Sequence, residues 1–369
     1  MNDEYIKKLF EKGPYDTFLS NNDFFKNALK EEIEFHLENN QLYRTFYNKK
    51  NITKDNFSNI DINDLPYVPV QIFKELGGVL SSVNKSDIKT SLQSSATSGK
   101  PSKILVDKIT ARRQVRVMIK VLSDFIGKKR RIFHVMDVNP KFGNNSEISA
   151  RAAATRGFLN FSSGSEYYLE DDNNKLKFNL SYFDKVLKSQ SNKEPLIIFG
   201  FTYVLYFYVV KRLIDKGKKF TLPANTKIIH IGGWKKLESE KVSKKIFNKQ
   251  LAETFGVAKS DVIDIYGFTE QMGLIYPDCE FGFKHVSNFS RLIIRDPISN
   301  QEIKDGEVGL LHFISPIPHS YPGNSILTDD LGKIISRKVC ECGRSGITFQ
   351  ITGRAKKAEV RGCGDVMAV

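Results

Sequence analysis

Apolar residues recur along this chain in two patterns, one with the spacing of a helix and one typical of a buried strand. The first clear helical pattern runs from Asn21 to Asn39, behind an Asn-Asn-Asp stretch suited to capping a helix. Its apolar face consists of Phe25, Ala28, Leu29, Ile33 and Leu37. Two prolines then extend the segment Asp64–Val70, which is predicted to dock a helical N-terminal region on the core.

The middle of the chain alternates short apolar runs with longer amphipathic ones. The short runs predict strands at residues 104–106, 132–138, 196–200, 228–231 and 262–266. The amphipathic stretches predict a basic helix ending near Phe125, an alanine-rich helix from Ser146 to Gly157, and helices over 202–216 and 239–255. This alternation predicts an α/β fold of mainly parallel, helix-covered sheets, with ligands at the carboxyl ends of the strands.

The pattern changes at Arg291. Short apolar runs at 292–294, 308–313 and 332–335, separated by Asp-Pro, Asp-Gly and Pro-Gly turns, predict a small β-rich subdomain. The predicted organisation is a helical region at 1–90, an α/β core at 91–290, the β-rich subdomain at 291–352, and a short hinge and tail at 353–369.

Charge bears on the choice of partners, because the 369 residues carry a formal net charge of +14. Eleven basic and two acidic residues lie within Lys100–Arg131, and twelve basic and three acidic within Lys211–Lys249. A nucleic-acid partner is one interpretation, but no helix-turn-helix, zinc-finger or RNP signature accompanies the lysines. Solvated lysine-rich helices are the favoured interpretation, and the charge also suits ATP, an acidic carrier protein or an anionic membrane surface.

Two features concern location. The longest apolar run, Leu196–Val210, is too short to span a membrane as a helix. Met1–Lys12 is charged throughout, so no secretory leader is expected there and a cytoplasmic location is predicted.

The segment Ser94–Lys103 has the small and hydroxyl-bearing residues that let a backbone wrap round an anion. Taken alone, such a run is typical of a flexible loop, and the spacing of a Walker loop is absent. Its candidate phosphate-contacting residues are Ser94, Ser95, Thr97, Ser98, Gly99 and Lys100.

Three further segments follow it in order: Tyr266–Glu270 (YGFTE), Thr328–Asp330 (TDD) and Gly353–Arg354. Together with the Ser94 loop they resemble the motif series of the acyl-adenylating enzymes. The resemblance implies the N-terminal-type fold of those enzymes, and it implies ATP and Mg²⁺ as cofactors.

The resemblance also implies roles for single residues. Tyr266 and Gly267 would lie by the adenine, Thr269 would contact phosphate, and Glu270 would hold Mg²⁺, which favours one or two carboxylates plus substrate phosphates. Asp330 would accept hydrogen bonds from the ribose, which Arg354 would also reach. The turn Gly232-Gly233-Trp234 would place the base against the backbone, although Trp234 is equally explained as a core residue.

The sequence departs from the family pattern in three places. Ala96 and Asp329 each occupy a position where the family usually carries glycine. The sequence given also stops sixteen residues after Gly353, so the large mobile C-terminal domain of the bigger members is expected to be absent. That domain carries a lysine that aids adenylation, and Lys356 or Lys357 are the speculative substitutes.

The resemblance is closest to the acyl-protein synthetases, the fatty-acid-activating subunits of the bacterial luminescence fatty acid reductase. It extends from Asp64-Leu65-Pro66 through the segment 230–235 (HIGGWK) to 361–364 (RGCG). It implies that Cys363 takes the acyl group from acyl-AMP as a thioester and delivers it to a reductase, acyltransferase or carrier protein. A fatty acid would need an apolar wall, for which Phe201, Tyr203 and Leu205 are the candidates.

Two other functions stay open from the sequence. In a CoA ligase of the phenylacetate type, CoA would replace Cys363 as the acyl acceptor. A nucleotide-binding scaffold would bind ATP without catalysing a reaction.

The remaining cysteines form a separate pattern. Cys279, His285, Cys340 and Cys342 offer three thiolates and one imidazole, a set suited to tetrahedral Zn²⁺. The alternative is that the three cysteines are simply buried and reduced.

Overall fold

The computed structural model describes residues 4–16, 22–54, 56–94, 101–139, 147–172, 175–189, 194–234 and 240–355. Within these ranges the chain forms three β-sheets, of seven, six and three strands. The helices are α1 Glu4–Glu11, α2 Asn22–Asn39, α3 Gln41–Asn48, α4 Val70–Leu76, α5 Lys108–Ile126, α6 Ala150–Leu159, α7 Leu180–Ser189, α8 Thr202–Val204, α9 Lys211–Asp215 and α10 Lys244–Phe255.

The seven-stranded sheet is the predicted α/β core. Its strands are β4 Ile132–Val138, β6 Gly164–Asp172, β7 Lys175–Phe178, β8 Ile197–Phe201, β9 Lys227–Ile231, β10 Val262–Tyr266 and β11 Tyr276–Pro277, in the order β11-β10-β9-β8-β4-β6-β7. The five central strands pair in parallel, and only the edge strands β7 and β11 are antiparallel. Every residue of β8 is buried, as expected for a strand covered on both faces. The predicted mainly parallel sheet is confirmed.

The other two sheets contain the remaining strands. The six-stranded sheet holds β1 Val68–Pro69, β12 Lys284–His285, β13 Arg291–Arg295, β14 Gly309–Ile314, β15 Ser325–Ser336 and β16 Thr348–Arg354. The three-stranded sheet holds β2 Ile88–Gln93, β3 Lys103–Asp107 and β5 Glu147–Ser149. Pairing of β1 with β15 and of β12 with β16 joins residues on both sides of the predicted domain boundaries, which stay a prediction.

The strand predicted at 332–335 is only the end of a longer one. Strand β15 has twelve residues and already includes Thr328–Asp330. The polar TDD segment therefore lies within a strand. A β-bulge interrupts the pairing with β14 here, since His312 pairs with Leu327 and Leu310 with Leu331, and the pairing with β16 begins at Asp330.

Two predicted helices have different bounds. The alanine-rich helix begins at Ala150, after β5, and continues two residues past Gly157 to Leu159, since a single glycine does not end a helix that packs well on its neighbours. The predicted cap Ser146 lies outside the described residues. Helix α10 begins at Lys244 because the Ser243 hydroxyl caps it by accepting a hydrogen bond from the Ile246 amide.

The helix after β8 contains an irregularity. Residues Leu205–Val210 form a π-helical stretch between α8 and α9. A side chain at Gly200 would meet the Leu205 side chain at 2.7 Å, so this glycine permits the close approach of strand and helix. Among the described helices, none has both the length and the apolar character needed to cross a membrane.

Candidate active site and metal centre

The carboxyl ends of β9 and β10 lie side by side, because the two strands are parallel and Ile231 pairs with Ile265. Gly232 and Gly233 therefore come next to Tyr266 and Gly267. Gly232 has a φ of +87°, a conformation that favours glycine and turns the chain sharply off the strand. The structure thus brings together two of the predicted nucleotide-binding segments at one edge of the sheet.

Glu270 is the most buried charged group at this edge. It lies in the 3-10 turn Thr269–Gln271, and only 5% of the residue is exposed. The Ser102 hydroxyl donates a hydrogen bond to its carboxylate, and the Tyr321 hydroxyl donates one to its backbone oxygen at 2.9 Å. Burial raises the pKa of the Glu270 carboxyl above its usual range, against the lowering effect of the Ser102 hydrogen bond. A bound cation would therefore stabilise the ionised form.

The Ser94 loop is closed at its base. The Ser94 amide donates to the Ser102 carbonyl at 3.0 Å, and the Ser102 amide donates to the Ser94 hydroxyl at 2.7 Å. Ser102 therefore links the loop to Glu270, a connection that the sequence did not indicate. Among the loop residues predicted to contact phosphate, only Ser94 is described, and its hydroxyl accepts the hydrogen bond from the Ser102 amide. Ser95, Thr97, Ser98, Gly99 and Lys100 lie outside the described residues.

Tyr266 and Asp330 meet at the other side of this edge. The Tyr266 hydroxyl donates to the Asp330 carboxylate at 2.7 Å, and the Arg354 Nε lies 3.8 Å from the same carboxylate. Burial, and then the neighbouring Asp330, raises the pKa of the Tyr266 hydroxyl well above its usual value. A neutral tyrosine is therefore held against a carboxylate that also has a guanidinium nearby. The predicted pair Asp330 and Arg354 is brought together by the antiparallel pairing of β15 with β16.

Asp329, which stands in the family's glycine position, has a role that the sequence did not reveal. Gln71 of α4 donates to its carboxylate, and Arg354 and Lys74 lie 3.5 Å and 3.9 Å from it. The Ala355 amide donates to its backbone oxygen at 2.8 Å. Asp329 therefore joins α4 to the end of β16. The unexpected acidic residue at this position was the available signal, but nothing in the sequence identified its partners.

The three residues predicted to form an acyl-binding wall lie at the carboxyl end of β8 and just after it. Phe201 and Leu205 are buried, whereas Tyr203 is half-buried. The Tyr203 hydroxyl accepts a hydrogen bond from Arg151 at 2.8 Å, and Arg151 forms an ion pair with Asp137. This ion pair at the carboxyl end of β4 was not predicted from the sequence.

Trp234 lies in an aromatic cluster. Its ring centroid is 5.0 Å from that of Tyr206, 5.8 Å from Phe247 and 6.2 Å from Phe207. This packing accounts for a half-buried tryptophan without a ligand, and it leaves the adenine-binding role of Trp234 a prediction.

The four predicted metal-binding residues converge. One potential ligand atom from each of Cys279, His285, Cys340 and Cys342 lies within 4.8 Å of all the others, and the Cys342 sulfur is 3.4 Å from His285 Nε2. Cys279 follows β11, His285 is in β12, and the other two cysteines lie in the loop between β15 and β16. The three thiols are therefore grouped round one imidazole. The alternative of three simply buried, reduced cysteines stays open.

Local hydrogen bonds shape the turn that carries Cys340 and Cys342. The Cys340 amide donates to the Arg344 carbonyl at 2.9 Å, and the Gly343 amide donates to the Cys340 carbonyl at 2.8 Å, with Gly343 at a φ of +86°. Burial raises the pKa of the Cys279 thiol to about 12 and lowers the pKa of His285 to about 4. His285 Nδ1 is buried and has no hydrogen-bond partner among the described residues. Three sulfurs and an imidazole in a buried site are the donor set that Zn²⁺ prefers, so the residues fit this ion.

Cys363, Lys356 and Lys357 lie outside the described residues, so their predicted roles rest on the sequence.

Comparisons with known proteins agree on the family and the fold. A family model described as "Acyl-protein synthetase, LuxE" matches residues 4–369. A long-chain-fatty-acid–luciferin-component ligase of Aliivibrio fischeri is 26% identical over 348 residues, covering 92% of this chain and 86% of the relative. The ligase of the same name from Vibrio harveyi is 24% identical over 344 residues, covering 91% and 85%.

Among solved structures, the chain is similar to an open conformation of 2-hydroxyisobutyryl-CoA ligase in complex with 2-HIB-AMP and CoA. The TM-score is 0.70 at 13% sequence identity, over 92% of this chain and 71% of the other. At this identity the likeness concerns the fold alone, and it confirms the predicted fold class.

Proposed function

This chain belongs to the acyl-protein synthetase family, LuxE, and from that premise we propose that it is an ATP-dependent, AMP-forming ligase for a long-chain fatty acid. It activates the acid as acyl-AMP and passes the acyl group to a protein thiol. The observation that carries the proposal is the meeting of Glu270, the Tyr266–Asp330 pair and the base of the Ser94 loop at the carboxyl ends of β9 and β10.

In the first step, a carboxylate oxygen of the fatty acid attacks the α-phosphorus of ATP. The new O–P bond forms as the bond to the leaving pyrophosphate breaks, giving acyl-AMP and pyrophosphate. The chain's contribution is to position the reactants and neutralise charge. Asp330 accepts hydrogen bonds from the ribose, with Tyr266 and Gly267 beside the base, while Thr269 and the Ser94 loop contact the phosphates.

Magnesium is part of the proposal, with Glu270 as its protein ligand. The residue fits because a buried carboxylate whose pKa is raised by burial gains most from a nearby cation. Magnesium neutralises phosphate charge when bound, and one carboxylate with substrate oxygens is a usual ligand set for it. Ser102 holds the Glu270 side chain in place by its hydrogen bond.

In the second step, the Cys363 thiolate attacks the acyl carbonyl carbon. A C–S bond forms, the bond from that carbon to the AMP oxygen breaks, and AMP leaves. The side chains of Phe201, Tyr203 and Leu205 would lie along the acyl chain near the end of β8. The thioester is then available to an acyl-accepting reductase, acyltransferase or carrier protein, and the proposed location of the reaction is the cytoplasm.

A structural zinc ion at Cys279, His285, Cys340 and Cys342 completes the proposal. The support is the grouping of all four ligand atoms within 4.8 Å at the point where β11, β12 and the β15–β16 loop meet. When bound, zinc would favour the thiolate form of Cys279, the thiol whose pKa burial raises to about 12.

The experiment that tests this function is incubation with ATP, Mg²⁺ and a panel of carboxylic acids, followed by pyrophosphate detection and intact-protein mass. A long-chain acid should release pyrophosphate and add one acyl mass to the protein as a hydroxylamine-sensitive thioester. Cys363→Ser should still release pyrophosphate but carry no stable thioester, whereas Cys279→Ser should keep the acylation site. No pyrophosphate with any acid would contradict the ligase proposal, and acyl-CoA formation without acyl-protein would identify a CoA ligase instead.

A further inference from the structure

Lys74 is placed at the candidate active site by a chain of packing contacts that begins outside it. Strand β1 pairs in parallel with β15 at Val68 and Pro69, so the following helix α4 starts beside the Thr328–Asp330 segment. At its other end, Gly77 packs so closely on β3 that a side chain there would lie 2.1 Å from the Lys103 carbonyl oxygen. Helix α4 therefore lies between β3, the strand that follows the Ser94 loop, and the Thr328–Asp330 segment of β15.

Two contacts align this helix with Glu270. Phe73 is buried and packs edge-on against Tyr321, with ring centroids 6.1 Å apart. The Tyr321 hydroxyl in turn donates to the backbone oxygen of Glu270. Lys74 follows Phe73 in the same helix. The Phe73–Tyr321 contact therefore positions the part of α4 that carries Lys74, and Tyr321 links that part to the Glu270 backbone.

The ammonium group of Lys74 lies 3.9 Å from the carboxylate of Asp329, the residue next to Asp330. Burial raises the pKa of both Glu270 and Asp330, and the charge of Lys74 acts against that rise at both carboxyls. Glu270 is proposed for the phosphate end of ATP and Asp330 for the ribose end. In ATP the α-phosphate joins the ribose to the other two phosphates, so a cation held beside Asp329, on a helix that is linked to the Glu270 backbone through Tyr321, is near the phosphorus that is attacked.

The ion pair with Asp329 is not a tight hydrogen bond, because 3.9 Å exceeds the usual donor–acceptor distance. Asp329 is also held by Gln71 and by Arg354. Lysine is a compact charge on a flexible stem, so the ammonium can turn to a nearer phosphate oxygen without leaving its helix.

We propose that Lys74 contacts the α-phosphate of ATP and neutralises it during attack by the fatty-acid carboxylate. The inference rests on the proposed ligase function. It assigns the charge-neutralising task to an N-terminal residue, in place of Lys356 or Lys357. The ammonium reduces the repulsion between two anions as the O–P bond forms, and it keeps its own proton throughout.

The test is calorimetric binding of ATP and of adenosine to the full chain with Lys74→Gln, Lys74→Arg and the exposed control Lys304→Gln. Lys74→Gln should weaken ATP binding about tenfold to a hundredfold, the effect of one charge-assisted hydrogen bond. Adenosine binding should be unchanged, which also reports an intact fold. Lys74→Arg should recover most of the ATP affinity, and Lys304→Gln should match the wild type.

The same measurement in an Asp329→Asn background separates a phosphate contact from a purely structural ion pair. A direct contact predicts that Lys74→Gln has the same effect there as in the wild type. If the effect disappears, or if Lys74→Gln binds ATP normally, the inference is wrong. A wild type that binds ATP but releases no pyrophosphate overturns the ligase function alone, whereas a wild type that binds no ATP overturns both.

Discussion

The two ends of the β15–β16 hairpin hold two sites that are built in different ways. At the loop end, Cys340 and Cys342 are shaped by turn hydrogen bonds within a few residues. At the open end, Asp330 pairs with Arg354, and their remaining partners come from distant parts of the chain. The loop end groups sulfur and imidazole donor atoms round one point, whereas the side chains at the open end are hydrogen-bonded to one another.

The two sites should therefore respond differently to the loss of a side chain. A metal centre of grouped thiols would depend on its ion for stability, because burial raises the pKa of the Cys279 and Cys340 thiols and so disfavours their thiolate forms. The proposed nucleotide-binding end is held by protein–protein hydrogen bonds, so losing one of its side chains should reduce activity far more than stability. Each of the following predictions tests that contrast.

The largest effect on stability is expected from Cys340→Ser combined with Cys342→Ser. The double variant should lose its zinc and about 4 kcal/mol or more of unfolding free energy, the scale typical of losing a structural metal. Metal content by mass spectrometry and urea unfolding would measure both quantities. Cys363→Ser is the matched control, since it removes a thiol that is not one of the four proposed ligands and should keep one zinc per chain. A folded, metal-free wild type would disprove the metal centre.

The largest effect on activity is expected from Glu270→Gln. Removing the carboxylate charge while keeping the shape should slow pyrophosphate release by at least about a hundredfold, as for other groups that stabilise transition-state charge. The unfolding midpoint should fall little, or rise, because the buried charge is costly by itself. Glu253→Gln, on the exposed face of α10, should behave as the wild type. Equal rates of pyrophosphate release in the two variants would contradict a role for Glu270 in the reaction.

A smaller effect is expected from Asp330→Ala. The variant loses the acceptor for the ribose hydroxyls, which should weaken ATP binding by about 2 kcal/mol, or roughly thirtyfold. Tyr266→Phe removes only the hydroxyl that donates to Asp330. It should change ATP affinity by less than Asp330→Ala, because the carboxylate remains. Binding titrations with both variants measure the difference, and the reverse order would mean that Tyr266 contacts the nucleotide more strongly.

The smallest effect is expected from Ser102→Ala, at about 1 kcal/mol or fivefold in rate. Glu270 must be ionised to hold a cation, so activity should be lost as pH falls through its pKa, which burial places above the usual range. The Ser102 hydrogen bond lowers that pKa, so the variant should lose activity at a higher pH than the wild type. Rate measurements from pH 5 to 8 would locate the pH at which activity falls. The same pH in both proteins would contradict the role of Ser102.

Much of the fold follows from local patterns. The buried runs at 197–201 and 228–231 are strands because they consist mainly of large apolar residues, and Gly256 follows α10 in a left-handed conformation that favours glycine. In the turn that carries Cys340 and Cys342, Gly343 likewise provides a positive φ. These features depend on residues close together in sequence, where spacing and backbone preference are sufficient.

The rest was decided by tertiary structure. Gln71 donates to Asp329 across 258 residues, a contact made only because β1 pairs with β15 and directs α4 to that place. Ser102 likewise donates a hydrogen bond to Glu270, from which it is separated by 168 residues in the sequence. Polar side chains of this kind carry no periodic signal, since their partners are chosen by the packing of sheets and helices. Local sequence patterns therefore predicted most of the elements, the family motifs and the four candidate metal-binding residues. The charges that surround Glu270, Asp329 and Asp330 depend on the packing that brings distant segments together.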